Sequence, residues 1–441
     1  METVLRGKTL SIFQASLRGA DPKGCVKRFL KIEEGAFLAG NFRKKLKDIN
    51  RIMVVGAGKA SALMAQATEE VLKDRIDRGV VITTRGAEVS LERIRLYFGG
   101  HPLPDEEGAE GTERIMETVA QAEENDLVLC LISGGGSALL VAPYEGIGLE
   151  DKKRMTQLLL ECGATIDEIN TIRKHISLVK GGRLAKAAFP AQTVSMILSD
   201  VIGDRIDSIA SGPTAPDPTT FEECFEIIKK YNLMERMPGS IKLFLQANKG
   251  KQGTETVKPG DPVFARVENV IVGSNLLALK EAETEAKALG FHTLLLSAAI
   301  SGDTRKAAEE HALLAQHIRQ GRSKLTPPAC VVSGGETTVV VKGDGKGGRN
   351  QEFILAASIA IDGLKDVVIS SMNTDGKDGP TDACGATCDG FTVSRAKKMN
   401  LDPEDYLERN DSYHFFEKLD DLIKTGPTNT NVMDIHILLV G

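Results

Sequence analysis

Tryptophan is absent from the 441 residues, and aromatic side chains make up only 5% of them. Readers of nucleic-acid bases or sugars stack their ligands on aromatic platforms, so the composition argues against that class. There is no basic excess either: the net charge is -6, which gives no electrostatic footprint for nucleic acid. No apolar run approaches the ~20 residues that span a bilayer, and the opening stretch METVLRGKTLSIFQASL has no secretory hydrophobic segment. The seven cysteines are odd in number and scattered, which points to reduced thiols and a cytoplasmic protein. Cys384 and Cys388 have no second Cys/His pair at zinc-ligand spacing. No Ser/His/Asp set with a nucleophile elbow is present.

Glycine, by contrast, is plentiful. There are 44 in the chain, above the typical ~7%, and the excess follows apolar runs. Hydrophobic and charged contents of 41% and 26% are those of a soluble globular protein. The length suggests two or three domains.

Strands and helices alternate along the sequence. Helices are expected over 8–19 and 22–38, and a buried strand over 51–55. It is followed by Gly56-Ala57-Gly58-Lys59-Ala60-Ser61 and a helix to about 73. Strands at 79–83 and 95–98, a helix at 106–123 and a strand at 127–132 come next. Residues 149–188 are mostly helical, then a strand covers 193–198 and helices fall near 219–231 and 239–247. This alternation predicts βαβ units and a doubly wound parallel sheet. Residues 250–262, polar and rich in Gly, Lys and Pro, read as a linker. The domains are therefore expected at 1–248 and 262–441, with the last strand at 435–440 free to return to the first domain. The second region reads as strand 267–272, helix 275–289, strand 292–297, helix 303–320, a hairpin of 329–333 with 337–342, a helix ending near 361 and a strand at 366–372.

The chemistry concentrates in the loops. The strand at 127–132 empties into Ser133-Gly134-Gly135-Gly136-Ser137. Glycines there let the backbone approach a ligand, and a following helix start favours an anion. A tight turn without a ligand uses the same glycines. Lys59, just after Gly58, matches neither a P-loop nor a dinucleotide fingerprint. What remains is a lysine at a strand end, suited to a phosphate or carboxylate. Gly343-x-Gly345-x-x-Gly348 matches the dinucleotide pattern literally, and a phosphate-cradling loop with Arg349 fits equally well. Asp200, Asp204, Asp375, Asp378 and Asp382 lie in loops after strands, and Glu336 follows two glycines. Such carboxylates suit Mg²⁺, proton abstraction from a hydroxyl, or simple capping. Glycine anion loops, basic residues and loop carboxylates are together the parts of phosphoryl transfer.

SGGGSALL (133–140), INTIRKHIS and KGGRLA (169–185), SDVIGD (199–204), SGPT (211–214), GGETTV (334–339), GxGxGGRNQEF (343–353) and TDGKDGPTDACGA (374–386) resemble the MOFRL family of glycerate kinases, the glycerate 2-kinase group. The resemblance implies a Rossmann-like domain plus a smaller α/β domain with the active site in the cleft between. It also implies ATP- and Mg²⁺-dependent phosphorylation of D-glycerate to 2-phosphoglycerate; composition adds the expectation of no nucleic-acid or membrane partner, and a homo-oligomer is left open. Carried onto this chain, Lys59, Asp204 and Arg349 are the catalytic candidates. Gly58, Ser133, Gly134, Gly135, Gly136, Ser137, Arg173, Lys180, Gly345, Gly347, Gly348 and Asn350 are candidates for substrate or phosphate binding. Asp200, Asp375, Asp378 and Glu336 are candidates for the metal. The alternatives are an NAD(P)H-dependent hydroxypyruvate reductase, which the Gly343 loop would serve, and a non-catalytic sugar-acid or nucleotide sensor.

Overall fold

The structure, a computed structural model, describes residues 2–441, Gln252 by its backbone alone. The chain divides into two compact units. One holds residues 22–199 and 204–272; the other holds the N-terminal stretch through Asp21, residues 200–203 and residues 273–441.

Helix α1 (Glu2–Gly19) opens the chain and is followed by α2 (Pro22–Phe29). The expected helix over 22–38 stops there, because Glu34 and Gly35 take positive φ (50° and 70°) and close a two-residue hairpin. Strands β1 (Leu30–Glu33), β2 (Ala36–Ala39) and β3 (Phe42–Lys45) make a small antiparallel sheet.

The main sheet of this unit is built from β4 (Ile52–Ala57), β5 (Ile76–Thr84), β6 (Ile94–Gly99), β7 (Leu127–Ser133), β8 (Gln192–Leu198) and β9 (Val267–Gly273). Their spatial order is β6-β5-β4-β7-β8-β9, and the pairings from β6 through β8 are parallel. In chain order that is 3-2-1-4-5-6, the doubly wound dinucleotide-fold order. Every residue of β4 and β7 is buried, as a strand covered on both faces requires. The connecting helices are α3 (Ser61–Leu72), α4 (Glu106–Val119), α5 (Gly136–Leu139), α6 (Leu149–Glu161), α7 (Ile166–His175), α8 (Arg183–Ala188), α9 (Phe221–Lys230) and α10 (Gly239–Asn248).

The other unit is a mixed sheet. Its strands are β10 (His292–Asp303), β11 (Ala329–Thr338), β12 (Val367–Asn373), β13 (Gly385–Asp389), β14 (Leu422–Ile423) and β15 (Asp434–Val440), in the order β10-β11-β15-β12-β13-β14. Only the β10–β11 pairing is parallel among those within it. Helices α11 (Asn275–Ala288), α12 (Thr304–Arg319), α13 (Arg349–Ala360), α14 (Thr392–Lys398), α15 (Pro403–Glu408) and α16 (Ser412–Leu419) complete it. Helix α1 packs on α11, β12 and β15.

Four further expectations change. Residues 329–342 are not a hairpin: one strand, β11, runs through Gly334-Gly335-Glu336 with Gly335 at φ 146°. The 248/262 boundary moves, since β9 is the edge of the first sheet while α1 belongs with the second. Within the expected linker, Val257 exchanges backbone hydrogen bonds with Gly181 and Asp217, which straps the segment down. Finally, β15 lies between β11 and β12 and makes no return to the first sheet.

Candidate active site

In an open α/β sheet ligands bind beyond the carboxyl ends of the strands where the order reverses. Here that point falls between β4 and β7, and their trailing loops are Gly58-Lys59 and Ser133–Ser137. The two loops are sewn together. Gly58 sits at φ 145°, and a Cβ there would lie 2.1 Å from Ser133 Oγ. The Ala60 amide donates to Ser133 Oγ (3.0 Å), and the Lys59 amide donates to the Gly134 carbonyl (2.9 Å). Ser133 and Gly134 are therefore buried fasteners, while Lys59 is exposed. Gly135 is left-handed (φ 80°), with the His101 ring and Lys59 Cγ close by. Gly136 packs on Ala210 and opens α5. That helix has four residues, so the expected helix-start charge is smaller than the sequence suggested.

Ser137 Oγ lies 2.9 Å from Ser211 Oγ, which donates to Asn170 Oδ1 (3.1 Å) on α7. Lys180, a binding candidate, has another role. It is fully buried, and its Nζ donates to the Ser137 and Ala210 carbonyls (3.0 and 3.3 Å), so it fastens the loop from behind. Arg173 is different. It lines a cavity of about 220 Å³ together with His101, Gly135, Ser137, Thr156 and Lys152. Lys152 is 4% exposed and its Nζ has no hydrogen-bond partner. Burial, then the charge of Arg173, pushes the Lys152 ammonium down to about 7. Burial also lowers the Arg173 guanidinium. Desolvation and the neighbouring Lys59 push the His101 imidazole down to about 4, so it is neutral at physiological pH.

The loop after β8 is strained. Asp204, Ala210 and Ser211 take positive φ (52°, 51° and 61°), at ~1–3 kcal/mol each for non-glycine residues. Asp204 is half-buried. Asp200 falls in the short segment grouped with the second unit.

In the second unit Arg349 opens α13. Its Nε and Nη2 donate to the two Asp434 oxygens (2.6 and 3.1 Å), and Nη1 donates to Glu336 (2.7 Å). Burial works against the guanidinium charge, yet Asp434 more than offsets it and holds Arg349 above its usual range. Burial pushes the Asp434 carboxyl up to about 7 against the pull of Arg349. Asn350 is buried and donates to Asp378 and Asp434 (3.2 and 2.9 Å), so it organises carboxylates and does not face a ligand. The glycines of the Gly343 loop are filled by the chain itself. A Cβ on Gly343 would meet the Arg409 carbonyl at 2.3 Å, on Gly345 the Asp411 Cβ at 2.5 Å, and on Gly347 the Ser412 Oγ at 2.3 Å. On Gly348 it would meet Asp378 Cγ at 2.3 Å. The dinucleotide-like spacing is thus explained by packing against residues 409–412 and Asp378.

The four expected metal carboxylates are not gathered. Asp378 is 1% exposed and caps α13, accepting the Asn350 and Gln351 amides (3.1 and 2.8 Å). Asp375 closes a turn onto the Lys377 amide (2.8 Å), and Glu336 is paired with Arg349. No cluster of three or more His, Cys, Asp or Glu side chains suited to a metal ion occurs among the described residues. A resident metal does not fit this donor set. A Mg²⁺ ion that arrives on a nucleotide needs no such cage, because phosphates and water supply most of its ligands.

Sequence reasoning missed Lys152, His101 and Asp434. The signal for Lys152 was its place in the apolar stripe Leu149, Met155, Leu158 of α6.

A dinucleotide-fold sheet whose switch point carries cations, joined to a mixed α/β unit, defines an anion-handling α/β protein. Comparisons sharpen this. Residues 8–246 match the family model "Domain of unknown function (DUF4147)", and residues 329–434 match the MOFRL family. A D-glycerate 2-kinase of Thermotoga maritima is 43% identical over 89% of this chain and 91% of its own. A putative hydroxypyruvate reductase of Agrobacterium vitis is 39% identical over 98% of this chain and 93% of its own. The crystal structure of a glycerate kinase from Thermotoga maritima superposes with a TM-score of 0.89 at 40% identity, covering 100% of both chains. The chain belongs to the MOFRL-type glycerate kinase family.

Proposed function

We propose that this protein transfers the γ-phosphoryl group of ATP to the C2 hydroxyl of D-glycerate, giving 2-phosphoglycerate, with Mg²⁺ carried on the nucleotide. The observation that carries the reading is the set of uncompensated cations at the switch point, Lys59, Arg173 and Lys152. A substrate that is a carboxylate and a co-substrate that is a polyphosphate are the guests such a set favours. The family's glycerate kinases support the same choice. The reductase alternative leans on the name of the Agrobacterium relative. The filled glycines of the Gly343 loop argue against it, since they leave no open cradle for a pyrophosphate.

In this mechanism Asp204 takes the proton of the attacking hydroxyl, and Lys59 balances charge spreading over the transferred group. Arg349, held rigid by Asp434 and Glu336, is the catalytic candidate of the second unit. Removing one preorganised donor aimed at developing charge costs ~10²–10³ in kcat. Lys59→Ala and Arg349→Ala are each expected to lose activity on that scale. The assay pairs D-glycerate, ATP and Mg²⁺, read by phosphorus NMR, with hydroxypyruvate and NADH or NADPH. A 2-phosphoglycerate signal in the first arm and silence in the second is expected. Nicotinamide oxidation alone, or both variants within a few-fold of wild type, would overturn the reading.

A further inference from the structure

The buried cations of the first unit, taken with the half-buried Arg173, fall into two groups. Lys174 is paired with Asp217 (3.2 Å). Arg183 donates to the Lys174 and Thr254 carbonyls (2.8 and 3.0 Å), and Lys180 to Ser137 and Ala210. Each of these is satisfied by its own chain. Lys152 and Arg173 are not: Lys152 Nζ is buried without a hydrogen-bond partner, and the two side chains line one cavity. No acidic residue lines that cavity. A buried, unpaired ammonium beside a second cation is costly unless something anionic completes it.

The size and walls limit what that is. About 220 Å³ lies below the ~300–1,000 Å³ of pockets for drug-sized ligands, and a nucleotide exceeds it. Pro102, Pro104, Ser137 and Thr156 are among its lining residues. Ser137 is fixed from behind by Lys180 and Ser211. Two basic residues and two hydroxyl-bearing residues thus line the recess, the complement of a carboxylate followed by carbons bearing hydroxyls.

We propose that Lys152 and Arg173 form the carboxylate receptor for the acceptor substrate, so that a small hydroxy acid seats its C1 carboxylate in this recess and the nucleotide phosphates bind elsewhere. The identity of the acid rests on the kinase reading above; the receptor itself rests on the cavity. The pair also sets specificity. A polyol of the same length without a carboxylate leaves both cations unpaired, and a site with unpaired buried polar groups rejects such a ligand strongly.

The test combines calorimetry of D-glycerate binding without nucleotide and steady-state kinetics with D-glycerate and glycerol, on wild type, Lys152→Met and Arg173→Lys. Lys152→Met removes an unpaired buried charge, so its thermal midpoint should equal or exceed that of wild type; Arg173→Lys keeps charge and loses the fork, and carries the test if the first variant does not fold. The KM for D-glycerate should rise about 100-fold in Lys152→Met, and at least about tenfold in Arg173→Lys. The KM for ATP should stay within about threefold, and the preference for D-glycerate over glycerol should collapse in parallel. A glycerate KM that moves less than threefold overturns the receptor, as does a shift confined to the KM for ATP. Wild type that binds D-glycerate through Lys152 but turns nothing over keeps the receptor and overturns the kinase reading. Wild type that neither binds nor phosphorylates D-glycerate overturns both.

Discussion

Lys152 ties stability to pH. Its ordinary ammonium value is 10.5 and burial brings it to about 7 in the folded chain. Between those limits the unfolded chain holds a proton that the folded chain has released, so stability rises with pH across that window. The slope from one such group is at most about 1.4 kcal/mol per pH unit. The charge of Arg173 acts on it in the same direction as burial, and the neighbouring Lys180 is itself pushed down by burial, Lys152 and Arg173. Urea melts between pH 7 and 10 are expected to show rising stability in wild type and a flatter profile in Lys152→Met. Asp378 shows the opposite fate for a charged residue. Nearly all its hydrogen-bonding capacity goes to the start of α13, so a carboxylate that looked like a metal ligand in sequence is a helix cap.

Among the elements, α1 is the one most at odds with its place in the sequence. It buries Leu5, Ile12, Phe13 and Ala15 against α11, β12 and β15, elements that all come after residue 272. Its Arg6 reaches Asp421 and Asp389 (both 2.6 Å). Phe13 is 1% exposed, so Phe13→Ala should destabilise this unit by ~3–5 kcal/mol, measured by chemical denaturation. Amphipathic spacing predicted α1 as a helix but held no information on which sheet it would cover. The same spacing misled at 22–38, where Val26, Phe29, Leu30 and Ile32 continue a helical stripe although Glu34-Gly35 turns the chain. Local pattern was a sound guide where the apolar run was continuous, as in β4, β7 and β8. It failed where one glycine at positive φ decided the path.

Across the whole molecule, the loops on the first sheet were legible because glycines cluster where strands end. The doubly wound order, and with it the reason those loops matter, came from pairings that no local pattern records. Lys152 and Asp434 were hidden for a related reason. Each is a charged residue inside an apolar periodicity, and only tertiary neighbours tell a solvated side chain from a buried one. The division into units makes a further prediction. Residues 22–273 contain every strand of the first sheet; expressed alone they should unfold in one cooperative thermal transition. Residues 273–441 alone lack α1, and should show no sharp transition by circular dichroism until residues 2–21 are supplied as a peptide.

The position of β15 bears on how the chain is made. Among the described residues, the seven of Asp434–Val440 are the only bridge between β11 and β12, which have no ladder pairing with each other. On a translating ribosome the strands of the first sheet are all outside the exit tunnel long before β15 is synthesised. The second sheet cannot close until that final segment clears. For that interval the flanks of β11 and β12 stand as bare, apolar edges, which makes this half of the nascent protein the part most in need of a chaperone.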